Sequence, residues 1–239
     1  MRNYRNYDEA FYRPPTVHHS GPRAMRARVP YGSPWLTIWT QPRGTIRGIV
    51  DSDPNQCLLL LASLSGIGVI LNYLFQTHAG NYFNSLEIMF IACIAGPVLG
   101  ILGLYGMGLL IRLTGSWLGG VATSEEVHAA LAWAGVPRTV TVLAQFFGLI
   151  VCGNDLYKVS GYQVIDPRHR LILAATAISM VVLGIWQFIL CCKCVAEVHR
   201  FSAWRGLRAM LMAHAMVSGV LLTTITLAIT ATRAIRAWP

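Results

Sequence analysis

The sequence predicts an all-α polytopic membrane protein, a bundle of five transmembrane helices preceded by an interfacial amphipathic segment. Three observations lead there. Apolar residues make up 54% of the 239 and charged residues only 12%, with a mean hydropathy of +0.51, whereas an average soluble domain is about 25% charged. Five segments, 57–75, 86–111, 128–152, 171–192 and 209–231, approach or exceed the roughly 20 apolar residues that a spanning helix needs. The runs are continuous rather than alternating, which excludes a transmembrane barrel, the other structure that satisfies its backbone inside a bilayer.

In chain order, residues 1–32 mix Arg, Tyr, Pro and Gly without periodicity and read as a disordered basic cytosolic tail. Its charge suits the anionic headgroups of a bilayer. Nothing in it is specific to nucleic acid, and no nucleic-acid partner is expected. Residues 33–239 form the membrane domain. No early apolar stretch of about 7–15 residues marks a cleaved signal, so the segment from Cys57 is expected to act as an uncleaved anchor.

Ahead of that anchor, "SPWLTIWTQPRGTIRGIVDSDP" places Trp35 and Trp39 in a first apolar cluster and opens a second short helix at Pro42. Arg43 and Arg47, one turn apart, flank a stripe of Ile46, Ile49 and Val50. Such a helix is expected to lie in the membrane interface, its rings at headgroup depth and its guanidinium groups on phosphates. Asp53-Pro54 is expected to cap and open the first span.

The second span carries Ala92, Gly96, Gly100 and Gly103 on one face, a small-xxx-small stripe for close helix packing or dimerisation, with Pro97 expected to kink it. Residues 114–120 then read as a flexible exit. Thr123-Ser-Glu-Glu126 is a capping box, so the next helix starts at Ser124. If the third span began only after Pro137, residues 139–152 would supply about 21 Å, short of a core of ~30 Å. Residues 127–137 must therefore enter the membrane, with a kink at Pro137. That leaves Arg138 two to three turns inside, expected to snorkel homeward or to pair with carbonyls freed at the kink.

The fourth span ends in Cys191, Cys192 and Cys194, followed by His199. Neighbouring cysteines point to different sides of a helix, and a tetrahedral zinc site needs four convergent ligands. No metal, cofactor or disulfide framework is expected. After it, Trp204 and Arg205 lie in a second aromatic and basic patch, in the 193–208 loop. Trp117, in the 112–126 loop, completes the candidate partner surface. The fifth span contains no Asp, Glu, Lys or Arg.

Charge sets the topology. With the N-terminus inside, thirteen Lys and Arg fall on inner segments and five on outer ones, so the positive-inside rule puts the N-terminus in the cytosol and the C-terminus across the membrane. All ten acids lie outside the spans or at their edges. A proton- or sodium-coupled transporter or an aspartyl intramembrane protease would need buried carboxylates. Gln145, Gln187, His214 and Asn72 remain as intramembrane polar candidates, read mainly as packing hydrogen bonds. No G-x-S-x-G, H-E-x-x-H or phosphate-binding glycine loop occurs, and no enzyme activity is expected.

Three stretches, "PWLTIWTQPRGTIRGIV" (34–50), "RLTGSWLGGVATSEEVHAALAWAGVP" (112–137) and "VAEVHRFSAWRGLRAM" (195–210), set in order between five spans, resemble bacterial-type members of the Yip domain family. The likeness runs from about Ser33 to the last span. It implies a five-span helical membrane protein with a cytosolic N-terminus, in a bacterial inner membrane. In eukaryotic relatives it also implies trafficking, Rab binding and hetero-oligomers. Their Asp-Leu-Tyr-Gly-Pro motif precedes the first span, whereas "DLYK" (155–158) follows the third, so no Rab-binding residue carries over. The expected role is a scaffold binding membrane or peripheral proteins at the cytosolic face, as a homo- or hetero-oligomer. The alternative is a passive or facilitated transporter or small channel using the kinked third span and Arg138.

Overall fold

The computed structural model describes residues 32–158 and 167–237. The tail reading therefore concerns residues that, up to 31, lie outside the described chain. The elements are α1 (Pro34–Thr40), α2 (Pro42–Ser52), α3 (Leu58–Gln76), a 3-10 turn (Ala79–Asn81), α4 (Ser85–Trp117), α5 (Ser124–Ala134), α6 (Val136–Cys152), a second 3-10 turn (Gly153–Tyr157), α7 (Pro167–Val198) and α8 (Ala203–Ala237). Five spans are long and apolar enough to cross a bilayer: α3, α4, α5 with α6, α7 and α8. No strand occurs among the described residues. The chain is an all-α integral membrane protein of the multi-pass kind.

The short helices α1 and α2 form an elbow packed on one end of the bundle, here the elbow end. Pro34 and Pro42 each stand in the first turn of their helix, where the missing amide costs nothing. Ile38, Ile46 and Ile49 are buried in one core cluster with residues of α5 and α7, on which α2 packs. The elbow is thus part of the protein's own core, not only a strip lying on lipid. Asp53 does not open α3. It ends α2, and its carboxylate accepts from the Asn55 amide at 2.9 Å. A local Asx turn satisfies the carboxylate before the chain can enter a helix. Cys57, at φ 55°, makes the last bend before Leu58.

The tightest helix pair is α3 with α4. A Cβ on Gly66 would fall on the Gly96 carbonyl oxygen and lie 2.6 Å from the Gly100 Cα, so the backbones touch where no side chain intervenes. Ala92 is fully buried on the same face. Gly103 is not part of it: nothing lies within 4 Å of its Cβ position among the described residues, because by that level the stripe has turned out of the α3 contact. Helix α4 stays helical through Pro97, and a capping box of Asn84 and Glu87 starts it.

At 1.5 Å per residue α3 is about 28 Å long and α4 about 50 Å, against a hydrocarbon core of ~30 Å. The two meet at the far end, through the short connection at Ala79–Asn81, so the surplus of α4 runs past the start of α3 at the elbow end. Residues 114–117, expected to be a flexible exit, are helical. The Thr114 hydroxyl donates to the Ala209 carbonyl of α8 at 3.0 Å and Gly115 abuts the His199 ring, contacts that hold the last turn in place. Likewise α7 continues to Val198, which reduces the expected 193–208 loop to residues 199–202.

The capping box at Thr123 forms, with the Glu126 amide donating to the Thr123 hydroxyl at 3.3 Å and the Thr123 amide to the Glu126 carboxylate at 2.7 Å. The third span breaks at Gly135, just ahead of Pro137, which takes a first-turn position of α6. Proline has no amide for the carbonyl four residues back, and its ring crowds that carbonyl. Helix α5 is the most enclosed element, with Val127, Ala129, Ala130, Ala132, Trp133 and Ala134 all buried.

Candidate functional site

At the elbow end the sequence-predicted surface residues divide into two groups. Trp35 and Trp39 are half-buried against the core. Trp35 meets the buried Trp133 of α5 edge to face, ring centroids 5.3 Å apart at 61°, and the Trp133 indole donates to the Gln56 carbonyl at 3.2 Å. Arg47 does not turn toward lipid phosphates. Its Nε donates to a Glu197 carboxylate oxygen at 3.4 Å and a second guanidinium nitrogen to the Glu197 carbonyl at 2.9 Å. The partner on α7 lies 150 positions along the chain, out of reach of any local pattern.

Arg43 and Arg205 are exposed, as are Trp117 and Trp204, the two tryptophans at 59% and 74%. Leu36 joins them at 73%. These five side chains come from α1, α2, the end of α4 and the start of α8, and all stand at the elbow end. Arg112 donates to the Ser124 hydroxyl at 3.0 Å, tying the two helices of the short 118–123 connection together.

His199, which belonged to no assigned site, is a central feature of this end. Its ring is 1% exposed and stacks on Phe201 with centroids 5.1 Å apart and planes 1° from parallel. It fills the space left by Gly115 and Gly120, where a Cβ would strike the ring. Neither ring nitrogen has a hydrogen-bond partner among the described residues. Burial lowers its pKa from the usual 6.5, against the opposing pull of the Glu126 carboxylate and the Ile111 carbonyl. The unfolded chain therefore binds this proton more readily than the folded one. Its contribution is full above about pH 6.5 and is lost as pH falls from there through the depressed folded value. In detergent, the wild-type unfolding midpoint is expected to drop between about pH 6.5 and pH 5 by more than that of His199→Leu. Parallel pH profiles for the two proteins would contradict this account.

Within the membrane, Arg138 projects from the first turn of α6. Its Nε donates to the Gln187 amide oxygen of α7 at 3.1 Å. That replaces the expected escape to headgroups or to freed carbonyls, because Gly68 on α3 leaves room for the stem, 2.9 Å from its Cβ position. The pair borders a cavity of about 200 Å³ whose lining includes Gly68, Asn72, Thr141 and Gln145. Gln145 is buried and accepts from the Tyr157 hydroxyl at 3.4 Å. His214 hydrogen-bonds within its own helix, its Nδ1 lying 2.7 Å from the Met210 carbonyl oxygen. Cys191, Cys192 and Cys194 are buried free thiols in α7. No three His, Cys, Asp or Glu side chains converge as metal ligands among the described residues.

Sequence reasoning brought out Arg138 and Gln187 separately but not their pairing, weighed His199 only as a metal ligand, and passed over Trp133 and Glu197. A tryptophan in "AALAWAG" among small residues was the one available signal, since only a neighbouring element fills space around such a ring.

The spans and their surfaces define the class: a helical, multi-pass integral membrane protein with a packed extension at one end, in contact with the lipid bilayer along its sides. The chain belongs to the Yip1 domain family, whose domain matches residues 36–225, from within α1 to within α8. No curated protein and no solved structure matches it.

Proposed function

We propose that the protein is a non-enzymatic scaffold that holds membrane or peripheral protein partners at the elbow end, and that this end faces the cytosol. The observation that carries the reading is the exposed set of Leu36, Arg43, Trp117, Trp204 and Arg205, built on a base fixed by the Arg47–Glu197 and Trp35–Trp133 contacts. Tryptophan and arginine are the residue types enriched where protein interfaces concentrate their binding energy. Basic residues support the orientation. Arg43, Arg47, Arg112, Lys193, Arg200, Arg205 and Arg208 lie at the elbow end, against Lys158, Arg170 and Arg233 at the far end of the described chain. A bacterial inner membrane is the corresponding location.

A photo-crosslinking residue at Leu36 or Trp204 in native membranes is expected to give discrete protein adducts. The same probe at Tyr82, 81% exposed at the far end, gives none of them. Identical adducts from all three positions, or none, would remove the scaffold reading. Passive or facilitated transport is the second reading, supported by the polar cavity at Arg138. Small-anion flux in proteoliposomes, abolished by Arg138→Ala, would put it first.

A further inference from the structure

Arg138 sits about midway along its span, roughly 21 Å by helical rise from both Ser124 and Cys152. An arginine keeps its proton in a protein, so a full charge stays at a depth where charges are costly. Only its Nε is occupied, by the Gln187 amide oxygen at 3.1 Å. No carboxylate pairs with it among the described residues, and its two terminal nitrogens have no hydrogen-bond partner there.

The bonds around the guanidinium fix which way the neighbouring amides face. An arginine Nε can only donate, so Gln187 must offer it the oxygen, which leaves the Gln187 NH2 group over. The buried Tyr157 hydroxyl, with no other acceptor among the described residues, donates to the Gln145 amide oxygen at 3.4 Å. That leaves the Gln145 NH2 group over as well. Both glutamines line the 200 Å³ cavity beside Arg138, together with Asn72, whose amide has no partner among the described residues. Thr141 borders it too, but its hydroxyl is spent on the Arg138 carbonyl at 2.8 Å. The cavity is therefore lined by one uncompensated cation and by amide donors whose oxygens, in both glutamines, are already taken. Arg138 and Gln187 also border a cavity of about 350 Å³ that runs toward the elbow end between mainly apolar walls, among them Leu99, Leu104 and Leu131. Asn72 and Gln145 stand only on the far-end side.

We infer that the polar cavity is a binding site for one small monovalent inorganic anion of the halide or nitrate kind, held by the Arg138 terminal nitrogens and the Gln145 and Gln187 NH2 groups. Charge balance selects the valence, since one negative charge neutralises Arg138 and a second would leave a net charge within the membrane. The volume has room for such an ion and several waters, at about 30 Å³ for each water. The bound anion would serve as the counter-ion that no side chain supplies. The site is independent of the scaffold surface at the elbow end, and it requires no flux, so a protein that transports nothing would still bind the ion.

The test is equilibrium binding of radioactive chloride to the purified protein in detergent, paired with unfolding temperatures in sodium chloride and in sodium gluconate at equal ionic strength. Wild type is expected to retain one chloride, displaced by bromide or nitrate and not by gluconate, and to unfold at a higher temperature in chloride. Arg138→Gln is expected to bind chloride about tenfold more weakly or worse. Because that variant could fail to fold, Gln145→Glu serves as the second. It keeps an acceptor for Tyr157 and places a carboxylate in the cavity as a built-in counter-ion. It is expected to fold, to lose the chloride, and to unfold at the same temperature in both salts. Wild type that retains no chloride, or Gln145→Glu that retains it as wild type does, would overturn the inference. So would displacement of the chloride by phosphatidylglycerol added to the micelles, which would assign the cavity to a lipid headgroup.

Discussion

Gly66→Ala is expected to destabilise the bundle by about 3 kcal/mol, at the upper end for overpacking, while Gly103→Ala changes stability by no measurable amount. The added methyl at position 66 meets backbone, the Gly96 carbonyl oxygen and the Gly100 Cα and amide at 2.6 Å. Neither can rotate away as a side chain would, so α3 and α4 must move apart along their whole contact. Gly100 is in the same position from the other side, facing the Ala62 carbonyl and the Gly66 Cα. Gly103 belongs to the same run of small residues but has open space at its Cβ position. Denaturant titration in mixed micelles, followed by loss of helicity, reads both variants. Equal effects at 66 and 103 would mean that the stripe packs against something other than α3. Dimerisation through Gly96 and Gly100 is ruled out while α3 occupies them, so self-association of this chain would have to use another face.

Trp133→Ala is expected to cost about 3–5 kcal/mol, the usual range for removing a buried large aromatic, and to release the elbow. Trp133 is 1% exposed and joins three elements: α5 on which it stands, α1 through the Trp35 ring, and the α2–α3 connection through the Gln56 carbonyl. Its loss leaves a cavity and an unpaired carbonyl together. Trp133→Phe keeps a ring against Trp35 and forfeits the hydrogen bond, for about 1 kcal/mol. Limited proteolysis of residues 53–57 in micelles is the direct readout, with fast cleavage expected for Trp133→Ala and near wild-type resistance for Trp133→Phe. If cleavage is as slow in Trp133→Ala as in wild type, α5 does not hold the elbow. The scaffold reading gives this a second consequence, because an elbow that swings free carries Leu36 and Arg43 away from Trp117 and Trp204.

Features set by neighbours in the chain were legible in the sequence. The Thr123 capping box closes over three residues, the break before Pro137 follows from a missing amide, and both form where expected. The spans were legible because lipid selects on the apolarity of a continuous run. Their ends were misjudged at residues 114–117 and 193–198, where Thr114 bonds Ala209 and Arg47 bonds Glu197. There the decision to continue a helix rests on a group far along the chain. The Asp53-Pro54 error is of another kind, since a local Asx turn and a helix cap use the same residue types, and only the path of the chain selects one.

By itself the sequence determined that this is a helical membrane protein with five runs long and apolar enough to span a bilayer, and that one arginine falls well within the third of them. Transfer from water to lipid depends on composition over about 20 residues, a quantity that the chain states outright. The tertiary structure alone decided that the amphipathic elbow packs on α5 and α7, that His199 is enclosed between glycines, and that Arg138 meets Gln187 between a polar and an apolar cavity. Those outcomes depend on which helix faces are brought together, and that is set by the close approach of α3 to α4 and by the turns between spans.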